Sequence, residues 1–116
     1  MKLIVEKELF QWEKNRYVHL ISQESDPTIT YIQFYNSKVA YGPEVPLKSG
    51  KAKIPNSLLV DGVPLTAIAC TGTKGNTKPI VRKEFNVIRR ARPSLYYEDL
   101  EDSDEPDIPD VPDVPE

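Results

Sequence analysis

His19 and Cys70 are the only histidine and cysteine in the 116 residues, and they bound the chemistry this chain can do. Nucleophilic catalysis needs a nucleophile, a base within hydrogen-bond reach and a group that orients the base. His19 stands between Val18 and Leu20, where a strand-face residue is expected rather than a general base. Cys70 lies between Ala69 and Thr71 and reads as a small core residue rather than a reactive thiol. A single cysteine excludes an internal disulfide and leaves a structural zinc site without its thiolates. Carboxylates are numerous near the C-terminus, but a proline-spaced array does not pre-form the oxygen cage that calcium prefers. The five glycines form neither a GxGxxG nor a Walker loop, so a nucleotide cofactor has no phosphate cradle. No catalytic residue, cofactor or metal site is expected, and the chemistry left is binding.

Binding chemistry is written in the charge distribution. All 15 Lys and Arg lie at or before Arg92, whereas 10 of the 18 Asp and Glu lie at or after Glu98. Residues 1–97 carry 15 basic against 8 acidic groups, or +7, and residues 98–116 carry −10. The net charge of −3 therefore conceals a polycation joined to its own polyanion. Pro106, Pro109, Pro112 and Pro115 recur at every third position. Proline lacks an N–H and holds φ near −65°, which forbids helix and sheet ladder yet matches the three-residue turn of polyproline II. The expectation is a domain over residues 1–97 and a disordered, extended acidic tail over 98–116. That tail is either a solubilising terminus or a partner-docking or self-masking segment.

The elements that must present these charges are strands. Tyr17–Ile21, Thr28–Tyr35, Val63–Thr71 and Ile80–Ile88 are rich in β-branched and aromatic residues and bounded by Gly, Pro, Asn or Asp. Shorter candidates are Leu3–Glu6, Lys38–Tyr41, Val45–Lys48 and Ala52–Ile54. Seven or eight strands at close spacing predict an all-β domain, a small antiparallel β-sandwich or barrel, with the sandwich preferred. Gly72–Asn76 reads as a hairpin loop, with Gly75 and Asn76 suited to positive φ. Pro55–Asp61 predicts a single helical turn, capped by Asn56 or Ser57 and stopped by Gly62, that plugs one end of the core with Leu58 and Leu59. In the last strand Val81, Phe85 and Val87 share a face and Lys83 breaks the pattern, which an edge position or a bulge explains. This length supports one core. The apolar start Met1–Val5 is cut short by Glu6 and Lys7, and no run of 18 apolar residues follows, so a cytosolic chain without membrane association is expected.

The closing segment runs from Phe85 through Arg89, Arg90, Arg92 and Pro93 to Leu95, Tyr96 and Tyr97. It ends a strand with three arginines, turns at proline and lays aromatics against something. Two readings stay open: a terminal latch onto its own domain, or a docking patch in which Arg89, Arg90, Arg92, Tyr96 and Tyr97 form an interface.

The pattern Phe85-x-Val87-x-x-Arg90-x-Arg92-Pro93-x-x-Tyr96, with Ile54-Pro55-Asn56-x-Leu58-Leu59 and Leu9-x-Gln11-Trp12-Glu13 before it, resembles small β-sandwich domains of phage tail-tip and baseplate proteins from phages of Gram-positive hosts. The resemblance spans roughly residues 9–97. Such domains usually continue into a coiled coil or larger module, and this chain instead runs into an acidic tail. The resemblance implies a structural or adaptor protein of the virion tail, present in the host cytoplasm during assembly. Its implied partners are other tail or baseplate proteins, with a homo-oligomer as a further option. The rival is a single-stranded nucleic-acid binder, in which Tyr17, Tyr31, Phe34, Tyr35 and Tyr41 stack bases and the acidic tail occupies the groove when nucleic acid is absent. Lys48, Lys51 and Lys53, at nearly alternating spacing, line a strand face or decorate a solvated turn beside Gly50.

Overall fold

The alternation Tyr-Ile-Gln-Phe-Tyr-Asn makes the fourth strand half-buried on one side and fully buried on the other. In the computed structural model, which describes residues 1–39 and 42–93, this strand is β4 (Tyr31–Asn36), with Ile32, Phe34 and Asn36 inward and Tyr31, Gln33 and Tyr35 outward. It follows β1 (Lys2–Ile4), β2 (Leu9–Phe10) and β3 (Tyr17–Ile21) and precedes β5 (Glu44–Pro46), β6 (Lys51–Lys53), β7 (Leu65–Thr73), β8 (Asn76–Phe85) and β9 (Val87–Ile88). Two antiparallel sheets, ordered β1-β3-β6 and β5-β4-β7-β8, face one shared core, and β2 pairs with β9 as a short parallel ribbon. The fold is thus a small all-β sandwich with nine strands among the described residues. The acidic tail expected over 98–116 lies outside the described residues, as do Tyr41, Tyr96 and Tyr97.

Core packing follows register. Phe34 stands opposite Ala67 and Ile32 opposite Ala69 across the β4–β7 ladder, so each large side chain is paired with a small one. Leu3, Val18 and Ala52 supply the facing layer from the three-stranded sheet. Burying a side chain such as Phe34, fully enclosed here, contributes roughly 1.5–3 kcal/mol.

Several local expectations are corrected. The helical turn is a 3-10 turn over Asn56–Leu59; neither Asn56 nor Ser57 caps it by side chain, because Pro55 holds the N-cap position. Leu58 and Leu59 do fill the core, and Asn36 pins the turn by donating its Nδ2 to the Leu58 carbonyl at 3.2 Å. Lys38 lies in a turn rather than a strand, with its N–H satisfied by Asn36 Oδ1 at 2.8 Å. β8 is an edge strand, which accommodates Lys83 and Pro79. The bulge falls at Ile80 rather than Lys83, since Ala69 pairs with Val81 and Cys70 with Pro79. Gly75 has φ +81°, but Asn76 already belongs to β8 and is not left-handed. Between Phe34 and the approach to β5 the backbones nearly touch: a Cβ at Gly42 would lie 1.3 Å from the Phe34 carbonyl oxygen, so only glycine fits.

Candidate functional site

The two sheets each have an open edge on the same side, β5 on one and β6 on the other, and a groove of about 600 Å³ lies between them. Its first wall is the outer face of β3 and β6. Ala52 and Val18 are opposed and point into the core, so Lys51 and Lys53 must point outward beside His19 and Tyr17, their register partners. The Lys51 ammonium sits 4.6 Å from the Tyr17 ring centroid, a cation–π contact. Lys53 is only 8% exposed but contributes to the groove lining. The second wall is β5 and its approach, where Pro43, Val45 and Pro46 give a stiff apolar surface. Pro55 and Ser57 close one end.

The groove floor is completed by a turn whose geometry forces two cations together. Ser49 and Gly50 have φ +53° and +75°, the primed geometry of a two-residue hairpin loop. Lys48 and Lys51 exchange both backbone hydrogen bonds across it, Lys48 N to Lys51 O at 2.8 Å and the reverse at 3.1 Å. Directly opposed residues share a face, so the two lysines stand side by side, an arrangement of like charges that works against the isolated pair. Glu44 is the one acid among the residues lining the groove, and its carboxylate is directed at the β7–β8 hairpin. It accepts from the Thr77 hydroxyl at 2.7 Å and from the Gly75 N–H at 3.1 Å. The Thr77 hydrogen bond first, then that from Gly75, holds this carboxyl below the ordinary glutamate range. A smaller hollow of about 270 Å³ continues past Tyr17 and Lys51 to His19 and Arg16, where Glu6 lies 3.6 Å from His19 Nε2.

The arginine segment is built differently. Gln11 donates its side-chain amide to the Val60 carbonyl at 2.7 Å and accepts the Arg90 N–H at 3.1 Å through Oε1. Arg90 Nε donates to the Gln11 carbonyl at 2.6 Å. Trp12, left-handed at φ +72°, donates its indole N–H to the Arg90 carbonyl at 3.1 Å and its backbone N–H to Leu59 at 3.1 Å. The Arg92 guanidinium lies 5.5 Å from the Trp12 ring centroid. Arg89 passes over Gly62, where a Cβ would come within 3.0 Å of its Cγ. Arg90 and Arg92 are therefore held against the Gln11–Trp12 corner, with their side chains at the surface. Their proposed companions Tyr96 and Tyr97 fall outside the described residues. Nothing in the local sequence links Gln11 to Arg90, 79 residues away.

The described aromatics offered for base stacking do not all share one surface. Phe34 is fully buried, Tyr31 and Tyr35 lie on the outer face of the four-stranded sheet, and Tyr17 lies on the other sheet. Tyr35 beside Arg82 raises the guanidinium pKa above its ordinary value. Cys70 is buried, and burial pushes its thiol pKa up. Among the described residues no cluster of three or more His, Cys, Asp or Glu could hold a metal, and no helix is long and apolar enough to cross a membrane. Compared with known proteins, the chain matches no family model, no curated protein and no solved structure.

Proposed function

We propose that this chain is a protein–protein interaction module of the adaptor type, which takes an extended, acidic, proline-bearing segment into the groove between β5 and β6. The observation that carries the reading is the convergence of Lys48, Lys51, Lys53 and Tyr17 in one groove walled by Pro43, Pro46 and Pro55. Proline-rich segments arrive already ordered and dock on aromatic-lined grooves, so little chain entropy is lost on binding. The prolines of the wall also discourage simple strand addition at this edge, because they present no N–H to a new ladder. Lysines then select acidic over basic segments. A phage tail tip or baseplate, the setting implied by the resemblance, belongs to this proposal as the source of partners. Arg89, Arg90 and Arg92 with Tyr96 and Tyr97 remain its second candidate contact surface.

The test is fluorescence anisotropy with a labelled peptide of repeated Asp-Val-Pro. Binding should weaken about ten-fold in Lys48→Glu or Lys51→Glu and should be absent for a Lys-Val-Pro repeat. Tighter binding of an oligodeoxythymidylate through the same lysines would favour the nucleic-acid reading and remove this one. Indifference of peptide binding to both substitutions would also remove it.

A further inference from the structure

The groove concentrates cations, and the same chain carries the matching polyanion. Residues 98–116 hold ten carboxylates and no basic group. The stretch 106–115 has a strict three-residue pattern: Pro106, Pro109, Pro112 and Pro115, then Asp107, Asp110 and Asp113, then Ile108, Val111 and Val114. Wound as polyproline II, with three residues per turn and a rise of about 3.1 Å, each set would occupy its own edge. One edge is all proline, one all carboxylate at intervals of roughly 9 Å, and one all branched aliphatic. The groove offers the complement: lysines along its floor and Pro43, Val45 and Pro46 on the wall. Lys51 and Lys53, two positions apart on a strand, are separated by about 7 Å, within the reach of lysine side chains to carboxylates on successive turns.

Chain exit makes the docking short. The Arg90 carbonyl is bonded to Trp12, and the Trp12 N–H is bonded to Leu59, two residues beyond Ser57 at the closed end of the groove. Twelve residues separate Pro93 from Pro106, enough for about 40 Å of extended chain. A segment tethered at this distance competes at an effective concentration on the order of millimolar. Glu44, the one acid among the residues lining the groove, turns its carboxylate to Thr77 and Gly75.

From these observations we infer that residues 106–115 of the same chain occupy the groove between β5 and β6 when no partner is bound, so the acidic tail is a built-in competitor that a partner segment must displace. The inference rests on the groove reading proposed above and adds the identity of the resting occupant. On this reading the tail adds counter-charge beside Lys48 and Lys51, which stand side by side across their turn.

Two measurements on the full chain test it. Zero-length carbodiimide coupling, mapped by mass spectrometry on the monomer band, should join Lys48, Lys51 or Lys53 to Asp107, Asp110 or Asp113 in preference to Lys38, Lys74 and Lys78. A variant with Asp107→Asn, Asp110→Asn and Asp113→Asn should lose those links and bind the labelled Asp-Val-Pro peptide about five-fold or more tighter than the parent. Links spread evenly over all lysines, or confined to a dimer band, overturn the inference; the latter would assign the groove to a second copy. If parent and variant bind the peptide equally and both need Lys51, the groove reading survives and self-occupancy does not. If neither binds it, both ideas fall together.

Discussion

Arg90 and Lys51 both stand at the margin of a sheet with a cationic head outward, but their surroundings differ in kind. Around Arg90 the backbone is committed: its N–H, its Nε and its carbonyl are all bonded to Gln11 or Trp12. Around Lys51 the backbone closes a tight turn and the side chain lies over Tyr17, beside Lys48 and near Lys53. One region uses charge-bearing residues to fasten the two ends of the domain together. The other gathers three lysines along one groove. If the proposed groove reading holds, the contrast separates positive charge that holds the fold from positive charge offered to a ligand, and substitutions should divide along the same line.

Gln11→Ala carries the largest expected effect. It removes two side-chain hydrogen bonds, to the Val60 carbonyl and from the Arg90 N–H, and at ~1 kcal/mol each the stability should fall by about 2 kcal/mol in urea unfolding. Peptide binding by the folded fraction should be unchanged. A stable Gln11→Ala protein would show that the arginine segment is not a latch and would leave a contact surface as its remaining role.

Lys51→Glu should do the reverse. Replacing one of two opposed lysines relieves like-charge repulsion, so stability should hold or rise by up to ~1 kcal/mol while affinity for the acidic peptide collapses. Loss of stability comparable to that of Gln11→Ala would mean that the groove lysines are structural and would erase the contrast.

The smallest effect concerns acid. Hydrogen bonds from Thr77 and Gly75 hold the Glu44 pKa below its ordinary value, so its folded-state contribution is present above the unfolded glutamate pKa of about 4.3 and is lost as pH falls through the lower folded value. Thr77→Val should lower the thermal midpoint near neutral pH. The midpoints of parent and variant should then converge below about pH 4, where the carboxylate is protonated in both. Parallel midpoint curves down to low pH would detach Glu44 from the hairpin.

The strand content was legible in the sequence because burial on one side of a sheet imposes a period of two, as in Tyr31–Asn36, and because Gly75 and Gly62 mark chain reversals that need positive φ. Leu58 and Leu59 were legible as core for the same reason, since an apolar pair between a proline and a glycine has few other places to go. Lys48, Lys51 and Lys53 were visible as a spacing but not as a site. Their spacing is equally that of a solvated turn until the packing of the two sheets sets β5 opposite the outer face of β3 and β6 as the second wall. The two-residue strands β2 and β9 carried too few residues for any period, and Gln11 found Arg90 only when the parallel ribbon brought Leu9 beside Val87 and Phe10 beside Ile88. The sequence by itself determined the all-β class and how the charge divides between residues 1–97 and 98–116, because both depend on local pattern and composition. A local turn sets Lys48 beside Lys51, but tertiary structure alone decided that Tyr17 and the β5 wall enclose the lysines in one groove and that the arginine segment closes the Gln11–Trp12 corner, because contacts between separate elements are set by how the sheets pack.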